Sequence, residues 1–252
     1  MKQAEKQKAE IMAKLRGAQA VYVPMAGATR MPYVVCDEET FDDEILLYFT
    51  EEDAKRETAK LKEAGRPMQI IKVENRDFLM FYTGLYPMGV NCVLVEKDLP
   101  GETAVQLDDL IRRPKEDQLP DGRIRVENPE LHLTALYFLQ EMRRVKKEET
   151  KEQKDALQEL NDEMMAHFRK SRFIVAVEEG KGVPILKQKE GSAYQPVFTD
   201  IQEFKKFQSL NKEAVLKTVI IEAEKLPANL APEVAGVAVN PFGMNLQLQM
   251  KR

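Results

Sequence analysis

The sequence predicts an α+β fold built as two similar units, each a mixed sheet of about five short strands packed with helices. Three observations carry this. Short β-rich runs such as Ala20-Val-Tyr-Val-Pro-Met25 are bounded by turn residues. Amphipathic helical stretches, such as the one placing Ile11, Met12 and Leu15 among Lys, Glu and Gln, separate those runs. A Pro-x-Gly-x-Asn stretch entering a short strand occurs twice, as Pro87-Met-Gly-Val-Asn91 and as Pro241-Phe-Gly-Met-Asn245. Proline presets φ, glycine permits positive φ and asparagine tolerates turn conformations, so each copy specifies a tight turn.

The 252 residues have room for one large domain or two of ordinary size. A hydrophobic fraction of 43% with 32% charged residues is that of a soluble globular protein. No apolar run approaches the roughly 18 residues that span a membrane. The charged start, Met1-Lys-Gln-Ala-Glu-Lys-Gln-Lys, has no apolar stretch behind it and does not read as a secretory signal. The net charge of -4, with both signs spread along the chain, argues against nucleic acid as a partner. Cys36 and Cys92 both lie in apolar, strand-like runs, which predicts buried, reduced thiols and a cytoplasmic protein.

In order, the first unit (1–113) reads as a helix over 2–17 and strands over 20–25, 32–36 and 44–49. A helix follows, opened by Thr50-Glu-Glu-Asp53, a capping-box-like start, and closed at Gly65. A strand over 68–73, a short apolar helix or turn over 77–82, the first Pro-x-Gly-x-Asn stretch with its strand, and a closing helix over 103–113 complete it. Residues 114–156 form a connection, with a short strand at 123–126 and a helix opened by Asn128-Pro129-Glu130. The second unit (157–252) repeats the first in order. The segment 11–16 lines up with 164–169, 21–25 with 173–177, and Pro32-Tyr-Val-Val with Pro184-Ile-Leu-Lys. Phe49-Thr50 lines up with Phe198-Thr199, where Thr199 opens a capping box, Ile70-Ile71 with the strand 218–221, and Pro87 with Pro241.

These residues resemble the SseB family, specifically the N-terminal domain of the enhanced-serine-sensitivity proteins, in two tandem copies. The resemblance is carried by Phe198-Thr199 before a helix and by Val237-Ala-Val-Asn-Pro-Phe-Gly-Met-Asn-Leu246. The first unit departs from it, with Gly84-Leu-Tyr-Pro87 where the pattern has Val-Asn-Pro. What the resemblance implies is a small α/β domain, without an established reaction.

Catalytic signatures are absent from the residues themselves. His132 and His167 have no partner at ligand spacing, so no metal is predicted. No nucleophile elbow, Walker loop or dinucleotide fingerprint occurs, and no cofactor is predicted. Glu178-Glu-Gly-Lys-Gly-Val-Pro184 reads as a turn between strands. The acidic pairs at 38–39, 42–43 and 51–52 read as solvated carboxylates. The basic clusters Arg112-Arg113, Arg143-Arg144 and Lys146-Lys147 lack the interleaved aromatics of a nucleic-acid surface. The expectation is a non-enzymatic adaptor with a protein or peptide partner. The alternative is a small-molecule sensor or unorthodox enzyme with its site at the junction of the units. Pro87, Met88, Asn91, Pro241, Phe242, Met244 and Asn245 either plug the core beneath the two turns or present an apolar interaction surface.

Overall fold

The computed structural model describes residues 2–114, 119, 124–145 and 150–250. The chain divides into two compact units, Met1–Gln118 with Gln140–Lys151, and Leu119–Leu139 with Glu152–Arg252.

In the first unit α1 (Lys2–Gly17) turns Ile11 and Leu15 inward and leads to β1 (Ala20–Ala26). The segment expected as one strand at 32–36 forms two pieces in different sheets. β2 (Met31–Pro32) pairs with β1, and β3 (Val34–Cys36) pairs with β4 (Asp43–Leu47). Pro32 has no N–H to continue a ladder, and the N–H of Tyr33 instead donates to the Pro24 carbonyl at 2.9 Å. Thr50 caps α2 (Glu51–Glu63) by accepting from the Asp53 N–H, and three acids occupy the helix's first turn, where its dipole favours them. β5 (Met68–Glu74) runs antiparallel to all of β1, from Ala26↔Met68 to Ala20↔Glu74. After α3 (Phe78–Leu85), β6 (Cys92–Val95) enters parallel to β4, and β7 (Thr103–Gln106) runs antiparallel to β6. The helix expected over 103–113 is therefore a strand followed by a single turn, α4 (Leu107–Leu110). The alternation of Thr103, Ala104 and Val105, with Val105 fully buried, wins over the helical spacing of the apolar positions. A two-way backbone bridge between Tyr22 and Tyr48, at 2.8 and 2.9 Å, brings β1 beside the end of β4. The strand sequence is thus β5-β1-β4-β6-β7.

The helix α5 (Pro129–Met142) contributes its residues to Leu139 to the second unit and those from Gln140 to the first. Arg123 lies outside the described residues, and 124–126 form no strand. In the second unit α6 (Lys151–Lys170) buries Met164 and Phe168 and leads to β8 (Arg172–Glu178). β9 (Leu186–Lys187) pairs with β10 (Ala193–Phe198), and α7 (Ile201–Leu210) follows. β11 (Leu216–Glu222) runs antiparallel to all of β8, β12 (Gly236–Val239) parallel to β10, and β13 (Leu246–Gln249) antiparallel to β12. The sheet order is β11-β8-β10-β12-β13. Phe198 is fully buried and packs with Ile174, Phe204 and Phe207. In the first unit the buried Tyr48 packs with Ala26, Leu46, Ala54 and Met68. Burying such a ring stabilises each core by roughly 2–3 kcal/mol.

Register corrects two details of the expected alignment. Tyr48 bridges Tyr22 as Phe198 pairs with Ile174, so Phe198 occupies the place of Tyr48, one residue before the expected match. It follows that Asp200, not Thr199, is the N-cap of α7, as Thr50 is of α2. The two Pro-x-Gly-x-Asn stretches also differ in place. Pro87 precedes β6, whereas Pro241 follows β12, the strand that β6 matches in order, and leads into β13. Similar turn chemistry has arisen at different corners.

Candidate functional site

The second turn is held by side chains rather than built to be touched. Asn240 adopts φ 48°, and its Oδ1 accepts from the Thr199 N–H at 3.0 Å while its Nδ2 donates to Thr199 Oγ1 at 2.7 Å. Thr199 Oγ1 donates in turn to Asp200 Oδ2 at 2.8 Å. Asp200 Oδ1 accepts from the N–H groups of Gln202 and Glu203 at 2.8 and 3.1 Å, closing the first turn of α7. The side chains of Thr199, Asp200 and Asn240, which make these bonds, are buried. Their bonds are stabilising because they are made in a region of low dielectric. The backbone then tightens through donation from the Gly243 and Asn245 N–H groups to the Asn240 carbonyl, both at 2.9 Å.

Pro241 and Met244 are buried beneath this turn, Asn245 is half-buried, and Phe242 is 37% exposed with its ring 5.8 Å from that of Phe207. In the first unit Pro87 and Met88 are buried and Asn91 is exposed. Asn91 Oδ1 accepts from the Asp43 N–H, and its Nδ2 donates to Asp42 Oδ1, both at 2.8 Å. Four of the seven residues singled out in the sequence therefore face the interior, because each turn adjoins a buried strand and presents its apolar side chains to the core. Phe242 is the only exposed apolar member.

His132 lies 3.9 Å through Nδ1 from Asp200 Oδ2, too far for a hydrogen bond. With relative exposures of 1% and 2%, the two residues offer no surface to a solute. Arg143 and Arg144 are tied to backbone, donating to the Ala28 carbonyl at 2.6 Å and the Ala64 carbonyl at 2.7 Å. Lys146 and Lys147 lie outside the described residues. Cys92 is buried as expected, but Cys36, at the end of the short strand β3, is exposed.

The surface least explained by stability is β11. Its seven residues are bonded on one side only, to β8, so the outward backbone groups form an open edge among the described residues. Val219 is 52% and Ile220 43% exposed, and consecutive strand residues point to opposite faces. The edge is apolar on both sides. The strand in the same place in the first unit, β5, is better covered: the 13-residue α2 packs on both β1 and β5, and Ile70 and Ile71 are half-buried. In the second unit the 10-residue α7 packs on β10 and β8. Reading the sequence alone gives 218–221 as a strand and does not say how far it is covered. The shorter helix before it was the available signal that its cover is missing.

The family described as SseB protein N-terminal domain matches residues 151–251, from the start of α6 through β13. The match does not extend into the first unit. No curated protein matches the chain. Among solved structures, Tic22 from Plasmodium falciparum is similar at 14% identity, covering 90% of each chain with a TM-score of 0.21. Anabaena Tic22, titled as protein transport, is similar at 11% identity, covering 91% of this chain and 92% of its own with a TM-score of 0.22. Scores of this size carry no inference about this chain. No helix among the described residues is long and apolar enough to cross a membrane.

Proposed function

We propose that this chain is a non-enzymatic protein-binding module whose docking element is the open edge of β11. The observation that carries the reading is a seven-residue strand paired on one side only, with Val219 and Ile220 exposed on its two faces. An extended segment of a partner polypeptide adds to such an edge through main-chain hydrogen bonds, and its alternate side chains meet the two faces. Natural sheets protect exposed edges with charge, proline or bulges. Here the charged Lys217 and Glu222 stand toward the ends, and Val219 and Ile220 between them are left open. We place the protein in the cytoplasm as part of the same reading, on its two free thiols. We further infer that the two units descend from one duplicated unit. That is supported by their common strand order, by helix caps at Thr50 and Asp200, and by left-handed residues at matching strand ends. At those ends Glu96 accepts from the Phe49 N–H at 2.9 Å, as Asn240 accepts from that of Thr199.

Selection of a displayed random-peptide library on the full chain tests the docking reading. Enriched peptides are expected to be extended and alternately apolar, and to lose at least about tenfold in affinity when Val219→Lys and Ile220→Lys are combined, since charges on an edge oppose strand addition. Equal binding to that double variant, with its fold retained by circular dichroism, or no enrichment at all, overturns it.

A further inference from the structure

One polar cluster in the first unit takes no part in the proposed docking. Glu44 and Cys92 are register partners across the parallel pair β4 and β6, and Cys92 is the register partner of Gln106 across β6 and β7. Asp42 stands two residues before Glu44, on the same side of the strand. Topology therefore collects a carboxylate, a thiol and a second carboxylate from segments far apart in sequence. Their ligand atoms all lie within 4.8 Å of one another.

The surroundings of this cluster suit a cation. Glu44 is 3% exposed, and among the described residues its carboxylate accepts no hydrogen bond from outside the cluster. No basic group pairs with it among the described residues, and the acidic Asp37, Asp42 and Glu102 act on it. A buried carboxylate with only like charges for neighbours is destabilising unless it is protonated or meets a cation. Asp42, by contrast, is already oriented. Its Oδ1 accepts from Asn91 Nδ2 and its Oδ2 from Gln106 Nε2, both at 2.8 Å. Amide donors that fix a carboxylate in this way are the usual outer support of a metal ligand.

We propose that Asp42, Glu44 and Cys92 form a binding site for one divalent transition-metal ion, with zinc the best match to a thiolate and two carboxylates. Zinc bonds of about 2.0–2.3 Å bring donor atoms to about 3.5 Å of each other, so the cluster closes by roughly an ångström at its widest. Asp42 is half-buried and gives the ion its route from solvent. Three protein ligands leave a fourth position to water. Coordination takes the thiolate, so binding releases the Cys92 proton. The site belongs to the first unit alone, because the second unit has Tyr194 and Gly236 at the register places of Glu44 and Cys92. Inspection for paired histidines or closely spaced cysteines misses it, since its ligands are joined only by strand pairing.

The test titrates chelator-treated full-length protein with Co2+ followed by Zn2+, monitored by absorption and calorimetry. One ion per chain is expected, with the near-ultraviolet band of a thiolate–cobalt bond that Zn2+ removes. Cys92→Ser abolishes the band, Asp42→Asn and Glu44→Gln each weaken binding by about tenfold or more, and Cys36→Ser changes nothing. Because Cys92 is fully buried, Asp42→Asn on the half-exposed side is the variant that keeps the test decisive if Cys92→Ser fails to fold. No band in the wild-type protein, a band that follows Cys36, or affinity unchanged in folded Asp42→Asn overturns the proposal.

Discussion

Tyr48 and Tyr82 are buried phenols whose hydroxyls have no hydrogen-bond partner. An unsatisfied buried hydroxyl costs free energy that phenylalanine does not. Phe198 fills the register place of Tyr48 in the second unit without one. Tyr48→Phe and Tyr82→Phe are each expected to leave stability unchanged or raise it by about 1 kcal/mol, as measured by urea unfolding; a loss above that size contradicts the assignment. Burial also pushes Tyr82 up from 10.0 to about 12. The fold prefers the neutral phenol, so its contribution is whole below pH 10 and is lost as pH rises through about 12. Tyr82→Phe should therefore lessen alkaline unfolding within that window, and an unchanged pH profile counts against it. Asn240 works the other way, with two hydrogen bonds to Thr199 and a left-handed backbone. Asn240→Ala is expected to cost about 2–3 kcal/mol. A loss below 1 kcal/mol on the same urea curves would show that the network does not hold the corner.

At the scale of elements, the corner where β12 turns into β13 depends on a close approach. A Cβ at Gly243 would stand 2.5 Å from Glu203 Oε2, an atom buried without a hydrogen-bond partner. Gly243→Ala should destabilise by about 1–3 kcal/mol. Combining it with Glu203→Ala should recover part of that loss, and strict additivity in the double-mutant cycle would deny the contact. Most elements were legible from residues 2–17 onward because hydrophobic period and turn chemistry agree along the chain. The failures have physical causes. The run 103–106 has both β-branched alternation and helical spacing, and pairing with β6 decides between them. Thr199 precedes a better cap, since the Asp200 carboxylate reaches two N–H groups at once. The two Pro-x-Gly-x-Asn stretches look alike because both make tight turns, although register places them at different corners. Of the site candidates, the burial of Met88 and Met244 was anticipated as one of two readings, and only pairing distances could show which held. Glu44 and Cys92 were invisible as a pair for the same reason: strand pairing brings them together, and no local spacing reports it.

For the whole molecule, two units with the same strand order differ where function would differ. The first packs α2 on β5, an edge strand whose Ile70 and Ile71 are half-buried, and carries the acidic, thiol-bearing cluster; the second leaves Val219 and Ile220 of its edge strand β11 exposed. Exposed apolar side chains on an edge strand invite pairing with another chain. The central claim, that β11 receives a partner strand, is tested most directly by amide hydrogen exchange at residues 216–222, with and without the highest-affinity library-selected peptide. Alternate amides that point away from β8 should exchange fast in the free chain and become strongly protected in the complex. The double variant at Val219 and Ile220 should show no such protection. Outward amides already protected in the free chain, or protection appearing elsewhere while β11 stays open, would contradict the account.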